Sequence, residues 1–429
     1  MSIISSFFIG ASGLTANGLE LSVVGDNIAN SNTIGFKGSR AVFEDVLGLQ
    51  LTGGEGEFGA GTRLQEVQLL LTQGVIAQTG VATDLAMQGN GLFIVKGNDG
   101  SPLYTRAGQF TLDQDGFLVN LDSLRVQGFS ADVLGNINSA IGDIDLAGAT
   151  SPPKATSDTT LRGNLTANPD EPIKPPFDPL DPAGTSNFST ALQVFDSLGN
   201  PHEIDVHFRL ASAGVWEWHA TSDGSEIDGG VPGSASEIGT GQLSFNANGN
   251  LQDVTGDSIS LDPIGSPTLQ TITINFGDAI NNGGTGTIGM VQQSTIASSI
   301  NFVSQNGFGA GAIASVQINE FGVIIGAFTN GQSRALGQVA VAAFSAPDQL
   351  DRIGGNLFRA SSFQAGEANI GSAGTGGRGS IIAGALEQSN VDLSGEFIRM
   401  IIAQRAFQAS SKTVQTADQL LNELIQIKR

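Results

Sequence analysis

Residues 393–421 read LSGEFIRMIIAQRAFQASSKTVQTADQLL, and this stretch decides how the chain ends. Apolar side chains recur in it every seven residues, at Leu393, Met400, Phe407, Val414 and Leu421. The opening residues repeat the spacing, at Phe7, Leu14, Leu21 and Ile28. Heptad spacing puts these side chains on one narrow stripe of an α-helix, which is buried only against a partner helix. The sequence therefore predicts terminal helices at 1–30 and 391–429 that pack against each other and against neighbouring copies.

Neither terminal helix is expected to be stable alone. Burial of about five large apolar side chains yields roughly 1.5–3 kcal/mol each. Ordering about 30 residues costs on the order of 1–2 kcal/mol per residue before hydrogen bonds offset part of it. The front helix also contains Gly10, Gly13, Gly18 and Gly25, each costing roughly 1 kcal/mol relative to alanine. We expect the termini to be disordered in the monomer and to fold on assembly.

Glycine and acidic residues dominate the chain between its ends. The 429 residues include 59 glycines and only 6% aromatic residues, which favours turn-rich β structure. The formal net charge of −22 divides into −2 for residues 1–36, +1 for residues 391–429 and −21 between them. An assembly would keep the nearly neutral helices inside and the acidic body in solvent. Nucleic acid is not an expected partner, because no basic patch exists to neutralise phosphates.

The sequence also bears on export. There is no cysteine, so disulfides and thiolate metal sites are excluded. The first basic residue is Lys37, so the start lacks the positively charged region of a cleaved secretory signal. No apolar run is expected to reach the roughly 18 residues needed to span a bilayer, and no membrane insertion is predicted.

Turn signals divide the body. Eight of the fourteen prolines lie between Pro152 and Pro182, which predicts an extended boundary segment there. Apolar alternation on either side predicts hairpins with turns at Gln114-Asp115-Gly116, at 196–201 and at Asn330-Gly331. The predicted fold is multidomain, with mainly β body domains plus a terminal α-helical pair. Its further parts are connector segments at 31–75 and 360–390, a first β domain at 76–150 and 301–359, and a second, outer β domain at 151–300.

Motifs for catalysis or cofactor binding are weak. Two segments match G-x-G-x-x-G, but Gly54–Gly59 carries two glutamates that would repel phosphate, and Gly374–Gly379 follows no convincing strand. His202, His207 and His219 lack carboxylates at ligand spacing and are expected to be solvated surface residues. No catalytic residue, cofactor or metal site is predicted.

Short motifs nevertheless run through the chain. They are Ser12-Gly-Leu14, Asp26-Asn-Ile-Ala-Asn30, Gly35-Phe-Lys37, Gln88-Gly-Asn-Gly-Leu-Phe93, Tyr104-Thr-Arg-Ala-Gly-Gln-Phe110, Gly384-Ala-Leu-Glu-Gln-Ser-Asn-Val-Asp-Leu393 and Ala403-Gln-Arg-Ala-Phe407. Together they resemble the bacterial flagellar axial family. Within that family, Asp196-Ser-Leu-Gly-Asn200, Gly331–Val339 and Asn356-Leu-Phe358 are similar to segments of the hook subunits. Distal rod proteins share the terminal motifs but usually lack the second body domain, and they are the alternative.

The resemblance implies a nonenzymatic subunit of the flagellar hook, outside the cell envelope. Such a subunit is exported unfolded through the flagellar type III apparatus and stacks into a curved hollow tube that transmits torque from rod to filament as a universal joint. Its partners would be copies of itself and the hook cap, distal rod and hook–filament junction proteins. The stripe residues would form an inner coiled-coil layer, next to a helix-end and connector motif made of Asn27, Asn30, Gly35, Phe36 and Lys37.

Two other classes stay open. An extracellular β-rich adhesin would explain the acidic, glycine-rich body but has no need of matching helices at both ends. A carbohydrate-active enzyme would require a pocket with a perturbed carboxylate pair.

Overall fold

The computed structural model describes residues 3–47, 59–169, 176–360 and 365–427. The chain forms two compact units. The first comprises Met1–Ala149, Ala314–Ala327 and Ser333–Arg429, and the second comprises Thr150–Ile313 and Phe328–Gln332. Both units are built mainly of strands, and long helices lie at the two chain ends, so the predicted fold class is confirmed.

Three α-helices occur in the described residues: α1 (Ile3–Ala29), the short α2 (Pro182–Thr185) and α3 (Leu393–Ile427). One expectation about α1 was wrong. Among the described helices, α1 is long enough and apolar enough over Ser5–Ala29 to cross a bilayer, by length and composition only. Only two side chains of α1, Glu20 and Asp26, are charged. Its mean hydropathy therefore stays high, although glycine, serine and alanine residues separate the large apolar ones.

The first unit contains a long hairpin that packs along α1. Its strands are β1 (Ser39–Leu47) and β2 (Gly59–Leu69), paired antiparallel. The Thr62 amide donates a hydrogen bond to the Ser12 hydroxyl of α1 at 3.2 Å. The tip between the strands, with most of the first G-x-G-x-x-G match, lies outside the described residues.

The remaining strands of the first unit form one large sheet and three two-stranded sheets. They are β3 (Ile76–Gln78), β4 (Leu85–Gln88), β5 (Leu92–Lys96), β6 (Pro102–Thr105), β7 (Thr111–Leu112), β8 (Leu118–Val119), β9 (Gln127–Ala131), β10 (Ile137–Asp143), β22 (Gly311–Ile318, which starts in the second unit), β23 (Val323–Phe328), β24 (Ser333–Ala343), β25 (Asp351–Gly354), β26 (Leu357–Arg359), β27 (Asn369–Ser372), β28 (Ser380–Ala383) and β29 (Ala385–Glu387).

The main sheet of this unit has the order β22-β23-β24-β5-β6-β26-β25, and β9 and β27 also pair with β24. Ile94, Tyr104, Ala342 and Phe358 belong to its apolar core. Two predicted hairpins are confirmed here. One is β7–β8, around a turn in which the Asp113 carboxylate accepts the Phe117 amide, and the other is β23–β24.

The second unit is two sheets packed face to face. Its strands are β11 (Thr150–Ser151), β12 (Asp158–Thr166), β13 (Phe188–Phe195), β14 (Pro201–Ser212), β15 (Val215–Asp223), β16 (Ala235–Phe245), β17 (Leu251–Thr255), β18 (Ser258–Leu261), β19 (Gln270–Asn275), β20 (Met290–Gln293) and β21 (Ser299–Gln305). One sheet has the order β13-β14-β15-β16-β17 and the other β18-β19-β12-β20, with β21 also on β12. Trp216, Trp218 and Phe276 are fully buried in the core that both sheets line.

The predicted hairpin β13–β14 is confirmed, but the expectation of solvated histidines was wrong. His202 and His207 are buried, and the side chain of His219 is 13% exposed. His207 lies on the face of β14 that points away from the core. That face is covered by the segment around Phe177, which alternation in a single strand cannot reveal. Within the described residues, no group of three or more acidic or histidine side chains could hold a metal ion.

Candidate functional site

Helices α1 and α3 pack antiparallel, and small residues let them approach closely. A Cβ added at Gly10 would lie 2.9 Å from Val414 Cγ2, and one at Gly13 would lie 2.9 Å from Ser410 Oγ. Farther along α1, the Asn17 amide lies 3.5 Å from the Ser410 hydroxyl. Glycine therefore serves a packing purpose in α1, since the absence of a side chain allows this contact.

The stripe residues differ in burial, and two of them, Val414 and Phe407, lie at the seam. Phe7, Leu14, Leu21 and Ile28 of α1 and Met400, Val414 and Leu421 of α3 are half-buried, whereas Leu393 and Phe407 are exposed in the single chain. The Phe407 ring still reaches α1, because its Cε2 would lie 3.9 Å from a Cβ at Gly18. The stripes are thus only partly covered within one chain.

A second heptad on α3 was missed by the sequence analysis. Glu396, Ala403 and Ala417 are buried, and Ser410, at the same spacing, touches α1. The spacing was readable, but a search for large apolar residues passes over alanine, serine and glutamate. Small side chains at these positions let the helix backbones approach.

An uncovered apolar surface occupies the first turns of α3. Its members are between 41% and 63% exposed, and they are Leu393, Phe397, Ile398, Ile401 and Ile402. Adjacent large apolar side chains of this kind are unusual on a monomer and mark an interaction surface.

The base of the helix pair is joined to the β structure through Asn27. Its amide donates to the Ser39 carbonyl oxygen at 2.7 Å, and its carbonyl oxygen accepts the Ser39 amide at 2.9 Å. The same amide lies 3.3 Å from a carboxylate oxygen of Glu396 on α3. Asn27 is 1% exposed, so this reciprocal pair fixes the end of α1 against both β1 and α3.

The turn after α1 depends on a glycine. Asn30 closes the helix end by bonding to the Asp26 carbonyl oxygen at 3.0 Å. Gly35 has φ +69°, and a Cβ there would lie 2.5 Å from the Ala107 amide nitrogen. Buried Phe36 follows, with the Arg352 guanidinium 4.7 Å from its ring centre. The backbone therefore turns here in a way that side-chain-bearing residues would not permit.

The centre of the base is a buried cluster of one anion and two cations. Glu387 of β29 is fully buried, and Lys37 is 1% exposed. Lys37 Nζ lies 2.7 Å from Glu387 Oε1 and donates to the Thr72 carbonyl oxygen at 2.7 Å. The Gly74 amide donates to the same carboxylate at 2.8 Å. Arg106 Nε bonds to the other carboxylate oxygen.

Arg106 extends the cluster into the sheet. Its guanidinium donates to the carbonyl oxygens of Met87 at 2.9 Å and Gly89 at 2.7 Å, and also to that of Gly91. The cluster thus joins the segment after α1, the β4–β5 region and the segment before α3. We name Lys37, Arg106 and Glu387 the charged base.

Opposing effects set the pKa of Glu387. Burial alone would raise it, but the charges and hydrogen bonds of Arg106 and Lys37 outweigh burial and hold the pKa below its ordinary value. Burial lowers the pKa of Lys37, and the Glu387 carboxylate offsets part of that effect. The ionised form of Glu387 is therefore favoured at this site.

Asn390 completes the base. Its amide donates to the Leu70 carbonyl oxygen at 2.7 Å, and its own carbonyl oxygen accepts the Gly38 amide at 2.8 Å. Arg106, Glu387 and Asn390 lie inside motifs that stand out in the sequence, but no role was predicted for them. Their signal was a charged or amide side chain among glycine and apolar neighbours. The bonds Arg106–Glu387, Asn390–Leu70 and Lys37–Glu387 join positions that are 281, 320 and 350 residues apart.

Comparison with known proteins gives the class. Four family models match successive parts of the chain: Flagella basal body rod protein at residues 8–37, Flagellar hook protein FlgE/F/G D1 domain at 86–160, Flagellar basal body protein FlaE D2 domain at 164–308, and Flagellar basal body rod FlgEFG protein C-terminal at 382–427. The matched ranges include residues of the helix pair, of the charged base and of both units. All four models describe rod or hook proteins of the bacterial flagellum.

Full-length relatives narrow this class. The flagellar hook protein FlgE of Salmonella typhimurium is 33% identical over 428 residues, covering 99% of this chain and 100% of that protein. FlgE of Treponema pallidum is 33% identical over 468 residues, and FlgE of Borreliella burgdorferi is 34% identical over 455, each covering 99% of both chains. The crystal structure of Helicobacter pylori FlgE2 aligns with 73% of this chain at 15% identity and a TM-score of 0.47. The chain belongs to the flagellar hook protein family and is a structural subunit of the hook.

Proposed function

We propose that this subunit polymerises into a curved hollow tube outside the cell envelope, which transmits torque from rod to filament as a universal joint. The observation that carries the proposal is the uncovered apolar surface of α3 beside a seam already closed by α1. Apolar side chains that one chain leaves in water are stabilised when further copies cover them. The helix pairs would form the inner layer of the tube, with no membrane insertion of α1.

We also propose that the terminal helices and the body make different kinds of contact with neighbouring copies. Between copies, the terminal helices would make firm apolar contacts, and the acidic body would make modest polar contacts that can slide. The net charge of −21 between residues 37 and 390 supports this, since like charges disfavour tight burial of one body on another. A high-resolution structure of the polymer tests it, and the reverse distribution of contacts would rule it out.

The further partners are also proposals. They are the hook cap, the distal rod and hook–filament junction proteins, and the flagellar type III apparatus that would export the unfolded chain. The protein would have no catalytic activity and would bind no nucleic acid. Immunogold labelling of isolated basal bodies, with antibodies against residues 185–300, tests the location. Label on the curved segment supports the proposed location, whereas label on the straight rod alone would contradict it.

A substitution in the stripe tests the assembly surface. Phe407→Asp would place an unpaired carboxylate in the helix layer, at a cost of several kcal/mol per subunit. We expect soluble protein with an intact β body, by circular dichroism, that fails to polymerise by sedimentation and electron microscopy. Gln408→Asp adds the same charge at the next, exposed position and should still polymerise. Normal polymers from Phe407→Asp would show that this stripe is not the interface.

A further inference from the structure

In the second unit, the segment Pro176–Ser186 covers part of the face of the β13–β17 sheet that points away from the core. We call this segment the strap. Internal hydrogen bonds make it compact: Gly184 N donates to the Asp181 carboxylate at 3.1 Å, and Thr185 Oγ1 donates to the Asp181 carbonyl oxygen at 2.7 Å. The Ser186 amide closes α2 by donating to the Pro182 carbonyl oxygen at 2.9 Å.

Two histidines lie under the strap. His207 of β14 and His219 of β15 are directly opposite each other in the antiparallel pair. The Phe177 ring stacks on His219, with centroids 4.0 Å apart and 9° between the planes, and its centroid lies 5.6 Å from that of His207. One aromatic side chain of the strap therefore touches both imidazoles.

His219 is the imidazole with carboxylates nearby. Its Nδ1 lies 2.6 Å from Glu237 Oε1 of β16, and its Nε2 lies 4.0 Å from Glu217 Oε2 of its own strand. Glu217 is shared with Arg209 of β14, at 2.5 Å, so Glu237 is the main counter-ion. Negative charge therefore lies next to the His219 side of the pair.

His207 differs from His219 in its partners. Its Nε2 lies 3.1 Å from the Thr221 hydroxyl, and its Nδ1 has no hydrogen-bond partner among the described residues. Burial lowers the pKa of His207, the charge of Asp205 on its own strand opposes that effect, and His219 adds to it. An imidazolium at this position is therefore disfavoured while the strap is closed.

We propose that the His207–His219 pair makes the strap an acid-released cover of this sheet face. A proton on His207 places a cation under the Phe177 ring, opposite His219 and with no hydrogen-bond partner at Nδ1 among the described residues. Opening the strap lets water hydrate the charged ring. The closed state therefore binds fewer protons than the open one, so closure is favoured above the ordinary histidine pKa of 6.5 and is lost as the pH falls below it.

Release would also alter a cleft. Ala183, Gly184 and Ser186 of the strap line one side of a cleft of about 610 Å³, and residues 294–298 line another. Strap opening would widen this cleft at acid pH, so both events should share one pH midpoint.

Amide hydrogen exchange on the full chain tests the proposal. Exchange rates are divided by the intrinsic rate at each pH, and the protection of the Asp181 and Ser186 amides is compared at about pH 7.5 and about pH 5. Both amides bond within single turns of the strap, which are too short to persist in water once the strap leaves the sheet. We expect their protection to fall about tenfold or more, while the amides of β15 in the core stay protected. Protection of the strap that is independent of pH would overturn the proposal.

Two variants make the test specific. His207→Gln keeps a polar side chain that cannot titrate, and it should remove most of the pH dependence of strap protection. His202→Gln is the matched control: it lies on the same strand, but its ring contacts Asp196 and Glu226, so the wild-type response should persist. An unchanged pH response in His207→Gln contradicts the proposal.

A direct readout covers the case in which His207→Gln does not fold. The ring resonances of His207 in the wild-type protein should titrate with the same midpoint as the Phe177 resonances. Phe177 resonances that stay constant while His207 titrates would overturn the coupling.

Discussion

Glu387 is the single anion beside two buried cations, so its charge can be tested by one substitution. Glu387→Gln keeps the shape of the side chain but leaves Lys37 and Arg106 without a counter-ion. Breaking a buried pair by removing one partner typically costs about 3–5 kcal/mol. We expect a loss of that size in the free energy of unfolding of the first unit, measured by chemical denaturation.

Glu44→Gln is the matched control. Glu44 pairs with Arg63 on the β1–β2 hairpin, but the two side chains are 31% and 72% exposed. Exposed ion pairs contribute about 0–1 kcal/mol. An equal loss from both variants would show that the charged base has no special role.

The charged base also predicts a dependence on acid. The pKa of Glu387 is held below its ordinary value of 4.5 in the folded protein, so its stabilisation is present above that value and is lost as the pH falls through the folded pKa. The difference in unfolding free energy between the wild type and Glu387→Gln should therefore narrow below about pH 4.5. A constant difference down to pH 3, measured in the same denaturation series, would contradict this assignment.

At the residue scale, the sequence named some members of the site and missed others. Gly35, Phe36 and Lys37 stood out as a turn motif next to a predicted helix end. Glu387 did not, because the partner that explains a buried carboxylate is 350 positions away along the chain. The residues next to Glu387 in the sequence give no information about a partner at that distance.

At the scale of elements, the close approach of α1 and α3 explains the glycines of α1. Gly10→Ala should gain about 1 kcal/mol in helix propensity. It should nevertheless weaken the helix pair, because the new Cβ would lie 2.9 Å from a methyl group of Val414, whose branched side chain has little freedom to rotate. We expect lower helix content and a higher critical concentration for polymerisation, by circular dichroism and sedimentation.

Gly25→Ala is the matched control, because it changes the helix propensity of α1 without a new contact between the helices. Nothing lies within 4 Å of a Cβ added there, so this variant should stabilise α1 by about 0.5–1 kcal/mol. Equal behaviour of the two alanine variants would mean that the Gly10 contact does not limit how closely the helices pack.

At the scale of the whole molecule, the terminal helices are expected to fold only on assembly. In a single chain, the uncovered apolar surface of α3 is exposed and the stripes are only partly buried. Neighbouring copies would be needed to bury these side chains fully. Amides of α1 and α3 should exchange freely in dilute monomer and become protected in the polymer, while β14 and β15 stay protected in both. Protected amides in α1 of the dilute monomer would contradict this and would favour a self-sufficient helix pair.

The sequence by itself determined the β-rich body, the terminal helices and the main hairpins, because periodicity and turn residues act over a few neighbouring positions. The tertiary structure decided the rest. It brought Lys37, Arg106 and Glu387 into one buried cluster, set Gly10 against Val414, and placed His207 under Phe177. Each of these depends on the burial that distant segments create together, and burial determines whether a charge, a glycine or an imidazole stabilises the fold or destabilises it.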